Sequence, residues 1–188
     1  MIHEVLGFLK EQLNQYLRNQ DSYHEERVVF MDGERTDSVS FPKNAITPLL
    51  INLEEENVLR QGDPYVQVRR DGTRVGVNPE IRINLFVLFV SNFNSYEESL
   101  KFLSYVIRFF QSKRLFVHES NPQLTPNVEK LNMELVTMPF TSQNEIWNAL
   151  RTTYVPSVLY KVKMIVFEDQ EPRLLASMEE TAVKTVHR

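Results

Sequence analysis

The sequence predicts an α+β domain with a mainly antiparallel central sheet flanked by helices. Three patterns carry that expectation. Ile81, Ile83, Leu85, Val87 and Phe89 alternate along one strand face, while the opposite face starts polar with Arg82 and Asn84 and turns apolar at Phe86, Leu88 and Val90. Such a strand is either covered on both sides of its sheet, or covered on one side by another subunit. Next, Tyr96, Leu100, Leu103, Ile107 and Phe110 recur at helical spacing, and Phe102, Tyr105, Val106 and Phe109 widen that stripe. The widening predicts two partners for this helix, the sheet and something else. Finally, alternation returns at Leu131, Met133 and Leu135 and again over 158–167, which gives strands after the helix.

The elements follow in order. Ile2, Val5, Leu6, Leu9, Leu13, Tyr16 and Leu17 form the apolar stripe of a helix over about 2–19, with Glu4, Lys10, Glu11, Asn14 and Arg18 on its polar side. Phe8 lies off that stripe and leaves open a helix shared with a neighbouring subunit. Residues 27–31 read as the first strand, ended by the Asp32-Gly33 turn signal. A second strand covers 49–53, broken at its start by Pro48 and running into Glu54-Glu55-Glu56.

Residues 57–79 hold Gly62, Gly72, Gly76, Pro64 and Pro79 and read as a protruding loop. Within it, Asp71-Gly72 between two β-prone triplets signals a hairpin with a two-residue type I′ turn. Arg69, Arg70 and Arg74 make its tip basic. After the strand at 81–90, Ser95 and Glu98 stand at capping-box spacing. Ser142 and Glu145 repeat that spacing before a short helix over 145–150 containing Trp147, the only tryptophan. Beyond Glu168 the periodicity fades. The expected organisation is therefore one domain over 1–167 with a C-terminal arm at 168–188.

Composition narrows the function. A net charge of -4 gives no sign of a nucleic-acid partner. The absence of cysteine excludes disulfides and thiolate metal sites. Met1-Ile2-His3-Glu4 lacks a basic leader, and Lys10-Glu11-Gln12 interrupts any apolar segment behind it, so the expectation is synthesis in the cytoplasm without a signal peptide. No stretch approaches the roughly 20 apolar residues that span a bilayer, so no membrane partner is expected.

A search for chemistry finds little. His3, His24, His118 and His187 are scattered, and no phosphate loop, dinucleotide fingerprint or serine elbow is present. The start of a calcium loop at Asp32 fails at its twelfth position, which is Lys43 where a Glu is needed. Neither catalytic residue, metal nor cofactor is assigned, and the expectation shifts to a structural or interaction protein.

Several motifs together resemble one family. They include Ile2…Val5-Leu6…Leu9 with Leu13-Asn14…Tyr16-Leu17, Leu53-Glu54-Glu55-Glu56, and Ile83-Asn84-Leu85-Phe86-Val87-Leu88-Phe89. Tyr96-Glu97-Glu98-Ser99-Leu100, Phe109-Phe110-Gln111, Ile146-Trp147 and Pro156-Ser157-Val158-Leu159-Tyr160-Lys161 continue the set. It is similar to the N-terminal domain of tail-terminator (cap) proteins of contractile injection systems, such as the antifeeding prophage and Photorhabdus virulence cassette. The likeness covers 1 to about 167. It implies a non-enzymatic protein that forms a homo-hexameric ring on the distal end of the inner tube, stops tube growth and contacts the last sheath ring. The partners implied are other copies of itself, the tube protein and the sheath protein, within a phage-tail-like particle that lysis can release.

By position, Phe86, Leu88, Phe102, Tyr105 and Phe109 are the expected subunit contacts, and Arg69, Arg70 and Arg74 the expected tube or sheath contacts. Rival readings are a baseplate or sheath-adaptor component of the same particle, a small enzyme, or a peptide-binding module with an open sheet edge.

Overall fold

The computed structural model describes residues 1–20, 25–31, 39–56, 82–125, 128 and 130–163, together with Gly72 and the backbone of 21, 66–68, 74–76, 81, 164–167 and 173–174. Contacts divide the chain into two units. One comprises Met1–Glu56 and Arg82–Val166, the other Asn57–Ile81 and Phe167–Arg188.

The larger unit is built on a five-stranded sheet of order β1-β4-β7-β6-β5. Its strands are β1 (Ala45–Glu55), β4 (Ile81–Asn92), β5 (Leu115–Val117), β6 (Lys130–Val136) and β7 (Ser157–Phe167). The pairs β1·β4, β5·β6 and β6·β7 run antiparallel. Three helices complete it: α1 (Ile2–Asp21), α2 (Tyr96–Ser112) and α3 (Phe140–Ala149). The α+β architecture predicted from periodicity is the one observed.

Strand β4 has the two-faced apolar character read from its sequence, and both faces are covered by its own chain. Leu85, Val87 and Phe89 point one way and are fully buried. Phe89 meets Phe110 of α2 at 5.2 Å between ring centres, and Tyr160 of β7 at 5.9 Å. The rings continue through Phe109 to Phe116 of β5, and from Phe116 to Phe8 of α1. On the opposite face, Leu88, Val90 and Leu159 pack with Phe41 and Trp147 of α3. Each such side chain contributes roughly 1.5–3 kcal/mol on burial.

Helix α1 departs from expectation at two positions. Phe8 is buried against its own Phe116, edge-on at 5.4 Å, so it serves the core of its own chain. Asn14, placed on the polar side by residue type, is buried as well. It is fully engaged with backbone groups of residues 27 and 28.

The segment expected as a first strand over 27–31 makes only a parallel bridge, Val28 to Ile46. The strand expected at 49–53 instead spans Ala45–Glu55 and runs through Pro48. Proline is tolerated there because β1 is an edge strand, where a missing N–H need not break a ladder. An irregularity between Leu50 and Asn52 and the acids at its end further mark β1 as a guarded edge.

Neither predicted capping box forms. Ser95 occupies the N-cap position of α2 but makes no side-chain cap bond. Buried Ser99 organises that corner: its hydroxyl accepts the Phe93 N–H and donates to the Ser95 carbonyl, while its own carbonyl accepts the Ser91 hydroxyl. Helix α3 begins five residues before the predicted start, at Phe140, because Pro139 at its N-cap supplies extended backbone (φ -60°, ψ 152°) ahead of the first turn.

The smaller unit contains a second sheet, β2 (Val66–Val68), β3 (Arg74–Gly76) and β8 (Arg173–Leu174), in that order. The hairpin is real but its register differs from the predicted one. Val68 pairs with Arg74, whereas a two-residue turn at Asp71-Gly72 would pair Val68 with Val75. Gly72 takes φ +83°, the left-handed conformation that glycine supplies in longer hairpin loops. Strand β8 pairs with β3 in a stretch where the side-chain pattern had faded, since two residues suffice for ladder bonds but not for a readable period.

Candidate interaction surface

Helix α2 decides where this protein can meet others. Its core side is Ser99, Phe102, Val106, Phe109 and Phe110. The residues read from sequence as the widening of the stripe are therefore mostly core. Of those read as the main stripe, Phe110 is buried, Leu103 and Ile107 are half-buried, and Tyr96 and Leu100 stand 68% and 42% exposed. The helix is rotated relative to the sequence reading, with the apolar line Tyr96–Leu100–Leu103–Ile107 along its outer flank.

Three of the five expected subunit contacts lie in the core of the protomer itself. Leu88, Phe102 and Phe109 are buried inside the protomer. Leu88 belongs to the core under α3, and Phe102 stacks flat on Phe93 with centroids 4.1 Å apart. Phe109 meets Tyr16 of α1 at 5.1 Å. Side chains committed this way have no surface left to offer a neighbour. Phe86 and Tyr105 are half-buried: Lys161 Nζ sits 5.4 Å above the Phe86 ring, and Tyr105 lies edge-on to Phe102.

Of the expected docking arginines, Arg69 and Arg70 lie outside the described residues. Arg74 is on β3, with its side chain also outside the described set.

Two features escaped sequence reasoning. One is the exposed aromatic pair Phe140 and Tyr154, 86% and 56% accessible, the latter edge-on to Trp147 at 5.4 Å. Phe140 follows a proline at a helix start, a setting that carries no periodic signal. The other is a band of charges across the sheet. Lys161 of β7 pairs with Glu54 of β1, Lys163 of β7 with Glu134 of β6, and the Asn84 amide donates to Glu56. The hydrogen bond from Lys163 holds the Glu134 carboxyl below its usual range, and the same bond raises the Lys163 ammonium. The acidic run at 54–56 is thus tied into cross-strand pairs in at least two of its members.

A groove of about 600 Å³ runs between α2 and the sheet, lined by residues that include Ile107, Phe110, Arg114, Leu135 and Tyr160. Burial pushes the Tyr160 phenol up to about 12, against a weaker opposing pull from Arg114. Among the described residues, no group of three or more His, Cys, Asp or Glu is placed to hold a metal ion. His118, whose ring Nδ1 lies 2.8 Å from the Leu124 carbonyl, serves a local turn. Among the described residues, no helix is long and apolar enough to cross a membrane.

Similarity to known proteins can be set against this geometry. In fold, the chain is similar to the sheath/tube terminator of PVC, an extracellular contractile injection system, in its extended state. The TM-score is 0.58 at 16% identity, covering 100% of this chain and 64% of that one. It is also similar to the tube-terminating cap of the anti-feeding prophage, with TM-score 0.53 at 15% identity, covering 96% of this chain and 59% of that one. The chain therefore spans about three fifths of the length of these two proteins. No curated protein matches it in sequence. The family described as the Pvc16 N-terminal domain matches residues 4–178, which extends past the boundary near 167 expected from the motifs and takes in β8. The chain belongs to the Pvc16 N-terminal domain family.

Proposed function

We propose that this protein is a non-enzymatic cap of a contractile injection system. In this reading, six copies close into a ring on the distal end of the inner tube, end its growth and anchor the last sheath ring. The observation that carries the reading is the family match over residues 4–178, nearly the whole chain. The fold shared with two tube-terminating proteins supports it.

A cyclic ring needs two different, complementary patches on each protomer, because each copy meets its neighbours head to tail. The exposed pair Phe140 and Tyr154 supplies aromatic anchors of the kind that dominate such contacts. Half-buried Phe86 and Tyr105 remain as candidates for the complementary side. Arg69, Arg70 and Arg74 are three cations in close sequence on a chain of net charge -4, which suits them to an acidic surface of tube or sheath.

The test is to mix purified protein with growing tubes and image their ends. Rings at one tube end, with growth arrested, are expected. Tubes that elongate unchanged and carry no added density would overturn the reading. Reversing the charge of the three arginines together is expected to abolish end binding while leaving the fold intact, and normal capping would remove those residues from the docking role.

A further inference from the structure

The groove between α2 and the sheet, about 600 Å³ and of the size that holds ligands, has no role in the capping reading. Its floor is apolar: Phe110 and Met133 are buried, Ile107 is half-buried and Leu135 stands 52% exposed. Two hydrogen-bond donors flank that floor. Arg114 is exposed and makes no ion pair among the described residues. Tyr160 is only 3% exposed, and among the described residues its hydroxyl has no hydrogen-bond partner. Burial raises this phenol to about 12 and the Arg114 charge opposes that rise, so the two groups lie near each other and the phenol keeps its proton at neutral pH. Glu134, the acidic residue of the lining, is already neutralised by Lys163.

The backbone beside the groove is also unfinished. The Met133 N–H donates to the Arg114 carbonyl at 2.8 Å, on the β5 side of β6. In an antiparallel ladder, alternate residues present their N–H and C=O to the same edge, so Leu135 faces that edge as well. The β5 ladder stops at Leu115–Asn132, because the chain before it belongs to α2. Among the described residues, no strand lies beside Leu135 on that edge.

We propose that this groove captures the C-terminal end of a partner polypeptide whose last residue is apolar. The terminal carboxylate accepts hydrogen bonds from the Arg114 guanidinium and the Tyr160 hydroxyl. The terminal side chain covers Ile107 and Leu135, and the preceding backbone pairs with the open N–H and C=O of Leu135. A chain terminus carries its carboxylate and its apolar side chain on one Cα, which suits a cation set beside an apolar floor. An internal Asp or Glu would bring a polar stem onto that floor, and a free fatty acid would leave the Leu135 backbone unused. The site lies within the larger unit and stands independently of the capping reading.

The experiment is fluorescence anisotropy of the full chain, without tube protein, using N-terminally labelled heptapeptides that end in Leu, Val or Phe. Saturable binding of at least one free-carboxylate peptide is expected. Amidating its C-terminus should weaken binding about tenfold, as should Arg114→Gln, because each removes the charge-assisted pair. Tyr160→Phe should weaken it about threefold, through one hydrogen bond. Arg114 is exposed, so its substitution should leave circular dichroism unchanged. A chain that binds none of the peptides at millimolar concentration overturns the proposal. So does binding indifferent to amidation or to Arg114→Gln. Octanoate that competes as strongly as the peptide would assign the groove to free acids and overturn the proposal likewise. Loss of peptide binding in Arg114→Gln, with normal rings at tube ends, would support the site and separate it from capping.

Discussion

Asn14 holds both backbone groups of Val28: its Oδ1 accepts the Val28 N–H at 2.8 Å and its Nδ2 donates to the Val28 carbonyl at 2.9 Å. The same Oδ1 also accepts the Arg27 N–H at 3.0 Å. One side chain of α1 thereby acts as a strand partner for a segment that otherwise bridges only to Ile46. Val28 is fully buried, so these groups have no water to turn to.

Asn14→Ala leaves two or three buried backbone groups without partners, at about 1–3 kcal/mol each before relaxation. The expected loss is about 2–4 kcal/mol in urea unfolding. Gln12→Ala, in the same helix but paired only at its exposed amide and with Lys113, should cost under about 1 kcal/mol. Equal effects at the two positions would mean that Asn14 is no pin.

The rotation of α2 makes a sharp contrast among phenylalanines. Phe109 is buried among Tyr16, Phe110 and Phe116, so Phe109→Ala should cost about 3–5 kcal/mol. Phe102→Glu combined with Phe109→Glu should leave no cooperative fold, because both rings are buried in the protomer. Phe140→Ala removes a ring that is 86% exposed and should change stability by no more than about 0.5 kcal/mol. Denaturation followed by circular dichroism measures all three. A folded, soluble Phe102/Phe109 double variant would return those residues to the surface.

How legible these features were depended on whether a physical signal singled out one answer. The alternation in β4 left little choice, because hydrophobic residues on both faces demand cover on both, and the chain supplies it with α1 and α2 on one side and α3 on the other. In α2 the period announced a helix, but apolar residues occupy so much of its circumference that periodicity alone could not choose the inward side. The sheet chose, through Phe89 and Tyr160 packing on Phe110. Asn14 was misplaced because residue type argues for water, and only the tertiary position of Val28 reveals its partners. Pro48 looked like a strand break for the same reason: whether a proline is tolerated depends on whether the strand is an edge, which is a property of the assembled sheet. The paired lysines of β7 and the acids facing them required the register of four strands, which no single strand encodes.

Tyr160 gives the alkaline limit of the fold. Its ring is buried between Phe89 and Phe110, and burial disfavours the phenolate, which raises the folded value from 10 to about 12. The unfolded chain ionises this phenol near its ordinary value, so below that value the group leaves stability untouched. As pH rises through the window from 10 to about 12, the unfolded state releases a proton that the folded state retains, and stability falls. Between about pH 9 and about pH 11 the loss from this one group should be on the order of 1 kcal/mol. Tyr160→Phe abolishes it, while the other tyrosines titrate alike in both proteins and cancel in the difference. Urea unfolding of the two proteins at both pH values measures the effect: the wild type should lose more stability than Tyr160→Phe by that amount. Curves that stay parallel would mean that water reaches the phenol in the folded protein and that the groove beside Ile107 and Leu135 opens far enough to admit it.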